Sequence, residues 1–173
     1  IAVKQSSPDT IFWLRKKIEL LEIAHSQNPS PVSLDILFWE YLRCSDYCIE
    51  CDNFNTGEEL LYKGISLIET YPNWNEDSIL IRDVWAGKST LARLLSTNKQ
   101  YERALEENHR VLSILLSSNI LDELHPYHMD LSLTYGQIGN IYLENGNLPS
   151  AREYFIKAHE LSLLCVEDNQ TIE

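Results

Sequence analysis

The sequence predicts an all-α chain of about seven antiparallel helices, three helix pairs behind one N-terminal helix. Three observations carry this reading. Gly and Pro are scarce, six of each in 173 residues, and they fall at breaks. The long stretches between those breaks place apolar residues at helical spacing. No stretch alternates with period two for long enough to make a strand, and Asn145-Gly146 is flanked by helical patterns where a hairpin would need β-branched runs.

The elements follow in order. A first helix is expected from about Asp9 to Ser26, stopped by Asn28-Pro29-Ser30-Pro31. A second runs from about Ser33 to Cys51. A third starts at Thr56, where Thr56-Gly57-Glu58-Glu59 has the form of a capping box, and ends at Tyr71-Pro72. The fourth spans about Asp77 to Leu95, the fifth about Gln100 to Ser117. The sixth runs from about Pro126 to Glu144 and is ended by a left-handed turn at Asn145-Gly146-Asn147. The seventh follows directly, with Asn147 as its cap and Pro149 in its first turn, and continues to about Cys165. The expected organisation is a linker or disordered stretch over 1–8, one helical domain over 9–166 and a tail over 167–173.

Composition narrows the function classes. A chain of 173 residues can bury about 70% of its unfolded surface in a continuous core. The net charge of −12 disfavours nucleic acid, which needs clustered Lys and Arg. The short cluster Arg15-Lys16-Lys17 is followed by Glu19 and Glu22 and reads as a solvated helix face. No apolar run approaches the roughly 20 residues of a membrane span, and no basic and apolar leader opens the chain. The first residue is Ile1, which suggests a piece of something longer. Cys44, Cys48 and Cys51 crowd into one segment and Cys165 lies far off. That is no disulfide framework; it suits free thiols in a reducing intracellular compartment, cytoplasmic or nuclear.

The last two expected helices read LSLTYGQIGNIYLENGNLPSAREYFIKAHELSLL from Leu131 to Leu164. Tyr135, Ile138, Gly139, Tyr142, Ala151, Phe155 and Ala158 sit at offsets that resemble the tetratricopeptide repeat (TPR), a helix–turn–helix unit of about 34 residues. Gly139 and Ala151 fall where two helix backbones must approach closely; the large residues fill the space around that contact. Leu91, Ala92, Leu95 and Ala104 take the same slots in an earlier unit, and Asn108 replaces its aromatic. In a third unit Cys48 takes the small slot and Pro72 the closing Pro, while Leu60 and Gly64 invert the usual sizes. The small slots Cys48, Ala92 and Gly139 fall 44 and 47 residues apart, longer than the standard repeat, so long second helices and the Ile120-to-His125 connection should hold the excess. The resemblance implies a TPR-like α-solenoid. A narrower resemblance spans about Gly57 to Val166: helix lengths and the His125-Pro126 before the last pair are similar to the C-terminal helical domain of SET- and MYND-type lysine methyltransferases. Cys48-Ile49-Glu50-Cys51 is similar to their zinc-binding post-SET segment, although Asn53 stands where a further cysteine belongs and no SET motif is present. Kinesin light chains also place His-Pro before such repeats.

Several chemical motifs fail on spacing. Cys44-x3-Cys48-x2-Cys51 has the radical-SAM cysteine spacing, but at i, i+4 and i+7 of a helix it marks one apolar face. Gly87-Lys88-Ser89-Thr90 imitates the end of a phosphate loop, yet Arg82 stands where the first glycine belongs and no strand precedes it. His125 and His128 are too few for a metal site. No carboxylate pair, Ser/His/Asp or Cys/His arrangement can be argued. Neither an enzyme nor a cofactor is expected.

The expectation is therefore a protein-interaction module, a scaffold or adaptor holding an extended neutral or basic segment of another protein in a concave groove. The alternative is the non-catalytic helical domain of a SET/MYND-type methyltransferase. By resemblance to the family, first helices line the groove: Leu42, Ser45, Asp46 and Ile49; then Ala86, Ser89, Thr90 and Arg93; then Leu133, Gly136, Gln137, Asn140 and Glu144. Within that set Asp46, Ser89, Arg93, Leu133, Gln137, Asn140 and Glu144 are the candidate contacts. A Lys/Asn/Arg clamp for a chaperone tail is not matched, since only Asn140 is of the right kind and it lies in the wrong unit. Docking on the acidic fifth helix around Glu102, Glu106 and Glu107 is the competing surface.

Overall fold

The computed structural model describes residues 8–117 and 126–170. These form α1 (Pro8–Gln27), α2 (Pro31–Glu50), α3 (Phe54–Glu69), a 3-10 turn (Trp74–Glu76), α4 (Ser78–Thr97), α5 (Tyr101–Ser117), α6 (Pro126–Glu144) and α7 (Leu148–Gln170). No strand occurs among them. The chain divides into two compact units, Ile1–Thr90 and Leu91–Glu173. The expected stretch 1–8 reaches the described residues only at Pro8, which already opens α1. The Ile120-to-His125 connection lies outside the described residues. The seventh helix runs to Gln170, through much of the expected tail.

In the first unit α1 packs on α2 and α2 on α3. Ile18, Leu37, Tyr41 and Cys44 form one buried cluster, flanked by Leu14, Leu21, Leu60 and Leu67. The chain enters α2 through a capping box at Ser30, whose Oγ accepts from the Ser33 amide while Ser33 Oγ accepts from the Ser30 amide. The box expected at Thr56 does not form. The helix begins a turn earlier, after Asn53, whose carbonyl accepts from the Gly57 amide, so Thr56 already lies inside the first turn. α4 is capped as its sequence suggests: Asp77 Oδ1 accepts from the amides of Ile79 at 2.9 Å and Leu80 at 3.2 Å.

In the second unit α5 packs on α6 and α6 on α7. A β-carbon built on Gly139 would stand 2.7 Å from the Phe155 ring, well inside van der Waals contact. The close approach inferred from the repeat is thus physical. Ala151 is buried beside it, and Tyr154 stacks on Tyr142 with centroids 5.5 Å apart and touches Tyr135 at 6.0 Å. Gly146, at φ 79°, ends α6 in the left-handed region that costs glycine little. Asn147 Oδ1 then caps α7 by accepting from the Ser150 amide.

Candidate functional site

One recess in the second unit gathers most of the candidate contacts. It measures about 160 Å³ and is lined by Arg93, Ser96 and Thr97 on α4, Asn108 on α5, and Gln137, Asn140, Ile141 and Glu144 on α6. Helical spacing produces the lining. Gln137, Asn140, Ile141 and Glu144 follow one another at i, i+3, i+4 and i+7, one stripe of α6; Arg93, Ser96 and Thr97 do the same on α4. Ile141 is buried, while Asn140, Glu144 and Arg93 are exposed.

The polar atoms of this recess are held unequally. Ser96 Oγ donates to Glu144 Oε2 at 2.7 Å, which fixes the carboxylate. Asn108 is 0% exposed. Its Nδ2 donates to the Ala104 carbonyl at 3.1 Å, which sets the carboxamide orientation. That Oδ1 and Gln137 Oε1 are both sealed from solvent with no hydrogen-bond partner among the described residues. Leaving a buried acceptor unsatisfied costs about 1–3 kcal/mol, and both residues belong to the lining of one recess. Asn108 and Ser96 were not among the expected contacts. The signal for Asn108 was present: it occupies the slot where the repeat wants an aromatic.

The other candidate contacts fare differently. Leu133 is 49% exposed on α6 but does not line the recess. Asp46 is half-buried on α2, in the first unit. Ser89 is 6% exposed on α4, with its Oγ sealed from solvent. Leu42 and Ser45 are buried likewise, and Ser45 Oγ donates to the Gly57 carbonyl on α3. Small polar side chains on the inner face of a helix can be absorbed by a neighbouring backbone. On α5, Glu107 is buried and pairs with Arg110 at 2.8 Å, which leaves Glu102 and Glu106 as the exposed acids there.

The first unit carries its own perturbed groups. Asp83 on α4 is 2% exposed, with Oδ2 sealed and unbonded. Burial, then the charge and hydrogen bond of Asp35 on α2, push its carboxyl up to about 8, against the pull of Trp39 and Arg82. Burial and the Glu22 carboxylate push the Tyr41 hydroxyl up to about 12; Lys63 completes that cluster by pairing with Glu22 at 2.6 Å. Cys44 and Cys48 are buried free thiols one helical turn apart, and Cys51 is half-buried just past the end of α2. A hydrogen bond from Cys44 brings the Cys48 thiol down to about 7, and the Cys44 thiol is raised by the same contact. Gly87-Lys88-Ser89 lies within α4: Gly87 packs on Ile65 and Phe38, and Lys88 is buried against Glu69 at 2.9 Å. No phosphate loop exists there. Among the described residues no three His, Cys, Asp or Glu side chains gather as metal ligands would, with His125 outside that set. None of the described helices is long and apolar enough to cross a membrane.

Antiparallel neighbours packed in sequence order, with the small-on-aromatic contact of Gly139 and Phe155, define a helical-repeat scaffold with the TPR-like α-solenoid fold. Scaffolds of this kind generally serve protein interaction. Among solved structures the chain is similar to a Podospora anserina protein described as a kinesin light chain with nearly identical TPR-like repeats: TM-score 0.57, 17% identity, covering 86% of this chain and 67% of that one. It is also similar to a variant of the same protein (TM-score 0.39, 13% identity, 89% of each chain) and to BtubC of P. vanneervenii (0.34, 14%, 95% of this chain and 92% of that one). Scores that low add nothing to the fold assignment. No protein-family profile matches the sequence. No curated protein matches it either.

Proposed function

We propose that the chain is a protein-interaction module whose second unit holds an extended, neutral to basic peptide segment across α4 and α6, at Arg93, Gln137, Asn140 and Glu144. The observation that carries this reading is the recess itself, a hollow on a repeat scaffold that brings Arg93, Gln137, Asn140 and Glu144 together. Asn and Gln side chains can serve both the donors and the acceptors of a peptide backbone. The chain's net charge of −12 and the exposed Glu144 favour a basic flank on the partner, which would speed association and make it salt-sensitive. The acidic face of α5 is the weaker candidate, because Glu107 is spent on Arg110. The test is a partner found by pulldown, followed by Asn140→Ala together with Gln137→Ala. Affinity should fall at least about tenfold, equivalent to about 1.4 kcal/mol, with the melting temperature kept. Unchanged affinity rejects the site.

A further inference from the structure

We infer that α1 is a self-association surface, on which a second copy of this chain lays its own α1 in the antiparallel sense. The helix carries two apolar stripes. One faces the core of the first unit, where Leu14, Ile18 and Leu21 pack with Leu37 and Tyr41. The other faces solvent. Phe12, Trp13, Leu20 and Ile23 are 53%, 67%, 68% and 55% exposed. At about 100° of turn per residue these four fall within one arc of about 100°, on the side away from Ile18. Single exposed apolar residues are ordinary, but four large ones on one stripe mark an interaction face. A helix with a second apolar stripe calls for a second partner.

Charge then says what that partner is. Asp9, Glu19 and Glu22 on α1 balance Arg15, Lys16 and Lys17, so the whole net charge of −12 lies outside this helix. An acidic chain repels its own copy over the rest of its surface and does not at α1. Lys17 and Glu22 are spent within the unit, on Glu40 and Lys63, each at 2.6 Å. Lys16 and Glu19 stay on the solvent side, bridged to each other at 2.6 Å and both about half exposed. Phe12, Lys16, Glu19 and Ile23 are spaced four, three and four apart, which reads the same in both directions. Two such helices laid antiparallel about a twofold axis set Phe12 on Ile23 of the second copy and Lys16 on its Glu19, and each pair occurs twice. The four charges then alternate in sign. A parallel pair would instead set Lys16 against Lys16 and Glu19 against Glu19. One helix face about 30 Å long is a small contact, so the dimer should dissociate on dilution.

The experiment is sedimentation velocity on the whole chain from low to high micromolar concentration at low salt, with a circular dichroism melt of every variant. The expected result is a reversible equilibrium between monomer and dimer. Leu20→Glu should weaken it at least about tenfold, and Trp13→Glu stands in if that chain does not fold. Lys16→Glu and Glu19→Lys should each weaken it, because each sets like charges across the axis. Those two variants mixed in equal amounts should dimerise again, since every pair across the axis is then opposite in sign. A monomer at every concentration would overturn the proposal and leave the stripe to a different protein or helix. A dimer that keeps its affinity in Leu20→Glu would place self-association off α1 and overturn it equally. A dimer weakened by Leu20→Glu but not recovered by mixing the charge variants would refute the antiparallel pairing, as would species larger than a dimer.

Discussion

Asp83→Asn should flatten the dependence of stability on pH. Folded Asp83 releases its proton at about 8, against an ordinary value of 3.8. Between those values the folded chain holds a proton that the unfolded chain has given up. The folded state therefore binds more protons there, and stability falls as pH rises through the window. Each unit is worth about 1.4 kcal/mol, so the loss between pH 5 and pH 8 is on the order of 4 kcal/mol. Against a total of about 5–15 kcal/mol this is a large share. Asparagine keeps the shape and an acceptor for Trp39 but never ionises. Urea unfolding followed by far-ultraviolet circular dichroism at pH 5, 6, 7, 8 and 9 measures the effect. The gap between variant and parent should open in favour of the variant as pH rises, then level off above pH 8. Asp35→Asn should reduce the slope without abolishing it, since burial is the larger cause. A gap that stays constant from pH 5 to pH 9 would refute the reasoning.

Three further outcomes are expected. Gly139→Leu should lower the melting temperature, because even its β-carbon meets Phe155 at 2.7 Å and overpacking costs about 1–3 kcal/mol; an unchanged midpoint would mean that α6 and α7 do not approach as described. Asp77→Ala should cost about 1 kcal/mol through the lost cap of α4, whereas Asp77→Asn should stay within a few tenths; equal losses for both would point away from capping. Iodoacetamide followed by peptide mass spectrometry should modify Cys51 while the native chain protects Cys44 and Cys48. Prior labelling of Cys48 would contradict its place in the core, whatever its lowered thiol value.

The helices were legible because their stops are chemical. Asp77 and Asn147 cap where they stand, and Gly146 takes the one conformation that favours it. The Gly139–Phe155 contact was legible for a similar reason: a small residue on one helix opposite an aromatic on the next has few other uses. The Thr56 box misled because Thr-x-x-Glu also occurs inside a first turn, and only the backbone decides which residue is the cap. The 3-10 turn at Trp74–Glu76 left no periodic trace, since three residues carry no period. The lining was half legible. Arg93, Gln137, Asn140 and Glu144, placed in the lining by resemblance to the family, meet at one recess. Ser45 and Ser89, placed in the lining by resemblance to the family, are buried, because a hydroxyl is small enough to be enclosed between helices. Asn108 was visible as a departure from the repeat, yet nothing in one sequence distinguishes a degenerate slot from a functional one.

Helices that pack on their sequence neighbours also pass a mechanical load in series. α7 is held by α6 through the faces around Gly139 and Tyr142. A pull on the end of α7 would peel that face away contact by contact, with no need to break a distant part of the core first. Each residue drawn out of a helix into extended chain adds about 2 Å, so the 23 residues of α7 would pay out on the order of 45 Å. Unlike a sheet clamped across its strands, such a chain yields gradually, and a partner tethered to it could be displaced by tens of ångströms while the remaining helices keep their own packing.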